Sequence, residues 1–108
     1  MVDVAKYRTI LEARRDELEA RLREIEETLE GHQTRDWEEL ATEREGDEVL
    51  ESMGEAARSE LAKITAALTR VEEGEFGYCV RCGAEIAPER LDLIPFTPFC
   101  RTCAEDVA

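Results

Sequence analysis

The sequence predicts an all-α dominated fold: an antiparallel two-helix coiled-coil hairpin over residues 1–74, followed by a small C-terminal four-cysteine finger over 75–108. Three observations carry this expectation. Apolar residues recur at helical spacing in two long runs, a short polar stretch separates the runs, and four cysteines gather near the C-terminus. Composition agrees, since 38% of residues are charged and only 6% are aromatic. That is poor material for a conventional globular core and good material for long, solvent-washed helices.

The first run is Val4, Tyr7, Leu11, Leu18, Leu22, Ile25 and Leu29. The second is Leu50, Gly54, Ala57, Leu61, Ile64, Leu68 and Val71, in alternating steps of four and three. Such steps make a heptad seam with the charged residues on the outer faces. Between the runs lies Gly31-His32-Gln33-Thr34-Arg35, the one plausible turn, in which the single histidine reads as a turn residue. Two helices joined by a short turn lie antiparallel and bury their stripes against each other. Periodicity alone also permits an intermolecular coiled coil; the short turn favours a monomer. The second helix, about 36–73, spans on the order of 55 Å at ~1.5 Å per residue, so the expected shape is a rod with its bend at one end and the finger at the other. Gly74 suits the end of that helix.

The seam has flaws. Arg14 takes a core-type position in the first helix and Gly54 one in the second. The two are expected at the same level, with the glycine making room for the arginine stem. Gly46 and Gly54 each weaken the helix by up to ~1 kcal/mol relative to alanine. Glu43 and Asp47 put charge on the seam toward the tip, so that half is expected to be looser.

The cysteines form two C-x2-C pairs, Cys79/Cys82 and Cys100/Cys103, with 17 residues between them. This lies within the spacing of a four-thiolate zinc site. Each tight C-x2-C turn presents two sulfurs, and two such knuckles complete a tetrahedron around one Zn²⁺. Gly83, just after the first pair, suits the left-handed backbone of a knuckle. Four protein sulfurs leave no position for water or substrate, so the zinc is expected to be structural. A finger this small cannot stabilise itself by apolar burial alone, and metal binding supplies much of its folding free energy. A disulfide framework fits less well, because the N-terminus runs into a charged helix with no apolar leader. A redox dithiol needs a βαβ context that the sequence lacks. Reduced thiols, no leader and no apolar run long enough to span a bilayer together predict a cytoplasmic protein.

Charge excludes the usual reading of a zinc finger. The chain carries a net charge of −13, and residues 74–108 hold three arginines (81, 90, 101) against six acids. Phosphate binding needs a basic footprint, so direct DNA binding is not expected. Residues 36–55 hold nine acids and one base, Arg44. Such a run is either a solvated face or an acidic prong that enters a basic cavity.

The hairpin followed by Glu75-Phe76-Gly77-Tyr78-Cys79 and C-x2-C-x17-C-x2-C resembles the DksA/TraR proteins of bacteria, and Tyr7-Arg8-Thr9-Ile10-Leu11-Glu12-Ala13 resembles the start of their first coiled-coil helix. The resemblance covers about Tyr7 to Cys103. It implies a partner, RNA polymerase, whose secondary channel takes the coiled-coil tip. The family's tip motif is D-x-x-D-x-A; the matching residues here are Asp36-Trp37-Glu38-Glu39-Leu40-Ala41. Asp36, Glu39 and Ala41 then take the tip roles, with Glu39 carrying its charge one methylene further out. Trp37 is available to anchor a partner contact. Asp36 followed by Glu39 also reads as a capping box opening the second helix, a role compatible with a tip. The resemblance further implies contact with the alarmone ppGpp through basic side chains. Of those positions Lys63 keeps its base, while two others are Ala56 and Ala104, so strong ppGpp dependence is not expected.

Two other functions fit the same residues. Paired carboxylates at a prong tip can hold a catalytic Mg²⁺ and assist transcript cleavage, as in Gre-type factors. Zinc-bound thiolates are oxidisable, and loss of the metal would unfold the finger, which is the behaviour of a thiol sensor.

Overall fold

The computed structural model describes the backbone of residues 2–31 and 37–107 and the side chains of residues 2–28 and 48–107. Among the described residues four helices follow in chain order: α1 (Val4–Gly31), α2 (Trp37–Glu73), α3 (Pro88–Leu93) and α4 (Arg101–Val107). Among the described residues the only β-type pairing is an isolated antiparallel bridge between Tyr78 and Glu85. The all-α dominated class therefore holds. The short helices α3 and α4 are additions that the apolar periodicity does not announce.

The helix ends follow local chemistry. Asp3 caps α1, its carboxylate accepting from the Lys6 backbone N–H at 3.2 Å. At the same end of the pair, α2 closes in a Schellman motif. The Glu75 N–H donates to Arg70 O at 2.9 Å and the Gly74 N–H to Val71 O at 3.2 Å. Gly74 sits at φ 74°, a left-handed conformation in which a side chain is strained. The expected turn residues 32–35, His32 among them, and the expected cap Asp36 lie outside the described residues.

The chain divides into two compact units, Met1–Arg15 with Ala62–Ala108, and Asp16–Leu61. In the first, the beginning of α1, the end of α2 and the whole finger share one core. Tyr7, Leu11, Ile64, Ala67, Phe76, Ile86 and Leu91 are all buried. The Tyr7 and Phe76 rings meet at 5.8 Å between centroids, tilted by 37°. Arg8, Glu12 and Arg15 of α1 share a groove with Glu72, Thr69, Leu68 and Thr65 of α2. Numbers rise on one helix as they fall on the other, so the helices run antiparallel. An ion pair joins them, Arg8 to Glu72 at 3.2 Å; both partners are well exposed, and it adds little stability.

In the second unit Leu18 and Ile25 of α1 and Gly54 and Ala57 of α2 are buried. The seam is thus real where it is described, with two differences. Ala67, not part of the expected stripe, is fully buried, whereas Val4 is 37% exposed. The atoms nearest a Cβ built on Gly54 belong to the Arg58 guanidinium, at 3.4 Å. Arg58 lies one turn further along the same helix, where side chains four residues apart face each other.

Candidate metal centre

The first knuckle is built by backbone hydrogen bonds around Cys79. Its N–H donates to Ala84 O and its carbonyl accepts from the Gly83 N–H, both at 2.8 Å. Reversing the chain within this distance requires one left-handed residue, and Gly83 supplies it at φ 78°. The Tyr78–Glu85 bridge and a bond from Ile86 N–H to Gly77 O at 2.8 Å close the loop behind the knuckle. The second pair sits at a helix start: Cys100 precedes α4, Cys103 lies in its first turn, and the Ala104 N–H donates to Cys100 O at 2.9 Å. A bond from Val80 N–H to Pro98 O at 2.9 Å ties the two loops together.

The result is a cluster of four sulfurs within 4.8 Å of one another. All four cysteines are free, and Cys82 Sγ and Cys100 Sγ are 3.7 Å apart. A tetrahedron with Zn–S bonds of about 2.3 Å has its sulfurs about 3.8 Å apart. The cluster therefore fits one structural Zn²⁺, bound by Cys79, Cys82, Cys100 and Cys103. Cys79 and Cys103 are buried, Cys100 half-buried and Cys82 exposed. Burial alone would raise the Cys79 thiol, but backbone N–H groups of Cys100, Cys82 and Arg81 outweigh it and bring the pKa to about 6. Burial and hydrogen bonds with the other three sulfurs push Cys103 up to about 12.

A polar frame docks this centre on the long helices. The Tyr7 hydroxyl donates to Asp92 Oδ1 at 2.5 Å and lies 3.3 Å from Pro88 O, while Lys6 Nζ reaches the same carboxylate oxygen at 3.2 Å. Arg70, whose pKa is lowered by burial, donates to Phe96 O at 3.2 Å. Arg90 donates to Phe99 O at 3.0 Å and approaches the Thr97 hydroxyl at 3.4 Å. Thr97 is buried and its hydroxyl donates to Phe99 O at 3.2 Å. These contacts fix the 94–99 loop that delivers Cys100. Asp92, Arg70, Arg90 and Thr97 had no signal in the sequence, because each acts on a carbonyl or a partner distant in the chain.

The other expected site residues stand apart from this centre. Asp36 lies outside the described residues; Trp37, Glu39 and Ala41 lie in α2, with their side chains outside the described set. Lys63 Nζ sits 5.8 Å from the Phe96 ring centroid, a cation–π distance. Ala56 is exposed and Ala104 half-buried. No helix among the described residues is long and apolar enough to cross a membrane.

Comparison with known proteins covers both modules. The DnaK suppressor protein-like N-terminal domain model matches residues 7–71, and the prokaryotic DksA/TraR C4-type zinc finger model matches residues 74–107. An uncharacterised protein of Aquifex aeolicus is 38% identical over 78 residues, 72% of this chain and 54% of that protein. The RNA polymerase-binding transcription factor DksA of Salmonella typhimurium is 41% identical over 46 residues, 43% of this chain and 30% of that protein. The chain thus spans about half or less of the length of these curated relatives. Among solved structures, transcription factor DksA2 from Pseudomonas aeruginosa matches with a TM-score of 0.86 at 29% identity, over 95% of this chain and 81% of that one. The DnaK suppressor protein from Agrobacterium tumefaciens matches with a TM-score of 0.69 at 43% identity, over 98% and 95%. With one family model on the long helices and the other on the four-cysteine finger, the chain belongs to the DksA/TraR family of C4-type zinc-finger proteins.

Proposed function

We propose that this chain is a transcription regulator that binds RNA polymerase through its secondary channel. The observation that carries the reading is the match of both family models, 7–71 and 74–107, together with relatives named as RNA polymerase-binding transcription factors. In this reading residues 1–74 are the working hairpin, with its tip near 31–41, and residues 75–108 are the clamp that fixes its base. Asp36 and Glu39 bring negative charge close to the polymerase active centre, Ala41 keeps the approach narrow, and Trp37 anchors the tip by burying its ring. Charge placed there changes the lifetime of promoter open complexes. The protein acts by binding and not as an enzyme, works as a cytoplasmic monomer, and contacts DNA only through polymerase. ppGpp contributes weakly, since Lys63 is the one basic side chain of its kind retained and its ammonium already faces the Phe96 ring.

The test is the lifetime of open complexes on a ribosomal RNA promoter, comparing wild type with Asp36→Asn. Asparagine caps a helix about as well as aspartate, so the change removes charge and spares the fold. Wild type is expected to alter the lifetime several-fold and the variant to lose most of that effect. Equal action by both would reject the tip assignment, and inaction of wild type would reject the polymerase reading.

A further inference from the structure

Positive charge in this chain is supplied almost entirely by arginine. Of its 14 lysine and arginine residues, Lys6 and Lys63 are the only lysines. The difference matters for covalent chemistry. A guanidinium stays protonated, whereas a lysine amine can shed its proton and act as a nucleophile. Acylation of a basic side chain therefore has two positions to choose between, and their surroundings differ.

Lys6 is engaged. Its Nζ lies 3.2 Å from Asp92 Oδ1, an oxygen that also accepts from the Tyr7 hydroxyl. The hydrogen bond and charge of Asp92 hold the Lys6 ammonium above its ordinary 10.5, which keeps its lone pair protonated. Lys63 is exposed and lies 5.8 Å from the Phe96 ring centroid, with no carboxylate partner among the described residues. Other cations stand near it. Arg70, two turns further along α2, donates to Phe96 O, and Arg90 donates to Phe99 O. Both are half-buried, and neither has a carboxylate partner among the described residues. Three cations thus meet the 96–99 loop of a chain whose net charge is −13. A local concentration of one sign attracts small ions of the other, and an anion that carries an acyl group is thereby brought to an amine.

We propose that Lys63 is an acylation site for acyl phosphates, and that Lys6 is kept unreactive by Asp92. The neutral Nζ attacks the acyl carbon, and the N–C bond forms as the C–O bond to phosphate breaks. Inorganic phosphate leaves with the electron pair, and the surplus proton of the amine passes to water. Arg70 and Arg90 draw in the anionic phosphate, while the Phe96 ring offers an apolar surface to the acyl group. The product holds a neutral amide where the ammonium stood, so the cation–π contact with Phe96 is lost. This chemistry does not depend on the polymerase reading.

The test incubates the zinc-loaded full chain with acetyl phosphate and follows both lysines over time by peptide mass spectrometry. Lys63 is expected to react about tenfold faster than Lys6. Asp92→Asn is expected to raise the Lys6 rate several-fold and to leave the Lys63 rate unchanged. Arg70→Gln, first checked for one bound zinc and wild-type helicity, is expected to slow acylation of Lys63 by acetyl phosphate several-fold. The same variant should react at the wild-type rate with an uncharged acetyl ester, which cations do not attract. If Arg70→Gln proves unstable, added salt decides on the wild type, since it should slow the reaction with acetyl phosphate and not that with the ester. Equal rates at the two lysines, or a Lys63 rate with acetyl phosphate that salt leaves unchanged, would overturn the proposal.

Discussion

The Tyr7 hydroxyl donates to the Asp92 carboxylate across 85 residues of sequence, and so joins the first turns of α1 to the last turn of α3. The ring beneath that hydroxyl is 2% exposed and packs on Phe76. One residue therefore supplies both the apolar and the polar half of the joint between helix and finger. Removing the two halves separately should give different results. Tyr7→Phe keeps the ring and should lower the melting temperature by a few degrees, because the Asp92 acceptor remains open to water. Tyr7→Ala opens a cavity as well, and aromatic-to-alanine changes in cores cost about 3–5 kcal/mol. A thermal double-mutant cycle of Tyr7→Phe with Asp92→Ala should be strongly non-additive; additive losses would mean that the bond contributes nothing.

The same contact makes stability depend on pH at both ends of the scale. Hydrogen bonds from Tyr7 and Lys6 hold the Asp92 pKa below its ordinary 3.8. A depressed folded value means that this contribution is complete above 3.8 and is lost as pH falls through the lower folded value. Tyr7 is raised above 10.0, first by its hydrogen bond to Asp92 and then by burial. Lys6 is raised above 10.5 by its hydrogen bond and charge interaction with Asp92. Those contributions are complete below the ordinary values and are lost as pH rises through the raised ones. The stability gap between wild type and Tyr7→Phe should accordingly stay constant near neutrality and shrink in alkali. Denaturant melts across that range would check it, and a gap that is flat through the alkaline limb would reject the assignment.

What the sequence revealed and concealed follows from the range of each interaction. The zinc ligands were legible because tetrahedral thiolate chemistry imposes a short spacing inside each pair. The long helices were legible because periodicity accumulates over many turns: Tyr7, Leu11, Leu18 and Ile25 are all buried as the stripe requires. α3 and α4, of six and seven residues, are too short to show a period. Asp92 looked like any acid of an acidic finger, since its partners Tyr7 and Lys6 lie at the far end of the chain. The contact of Gly54 with Arg58, one turn along, follows from the helix itself.

Removing the metal should unfold more than the finger loops. Phe76, Ile86 and Leu91 share a core with Tyr7, Leu11 and Ile64, so a chelator should reduce helical circular dichroism as well as release one equivalent of zinc. Structural thiolate sites couple binding to folding in this way. Co²⁺ in place of zinc should give the ligand field of a tetrahedral four-sulfur site, which a single Cys103→Ser change alters. Helicity unaffected by complete chelation would mean that the long helices hold this core without the finger.

Gly83 should tolerate volume but not handedness. Nothing lies within 4 Å of a Cβ built there, yet its φ is 78°. Gly83→Ala should thus weaken the folded finger by about 1–2 kcal/mol through backbone strain alone, and Gly83→Asn by less. Competition with a calibrated chelator measures this directly as a loss of zinc affinity, in the order Gly, Asn, Ala. Equal affinities would mean that the knuckle can form without the left-handed residue.

Gly54 calls for the opposite prediction. It interrupts a long helix, its φ is not in the left-handed range, and a Cβ would meet Arg58 at 3.4 Å, an ordinary contact with the mobile end of a side chain. Burial therefore does not forbid alanine, while helix propensity favours it by about 0.5–1 kcal/mol. Gly54→Ala should raise the melting temperature, and Gly54→Leu should lower it, because a larger side chain must displace the guanidinium and overfill the seam. Arg58→Ala in the Gly54→Ala background separates the two terms: the gain should persist if it comes from the backbone. A lower melting temperature for Gly54→Ala would show that the glycine is needed for close approach of the helices, and that the flaw read in the seam is a requirement of its packing.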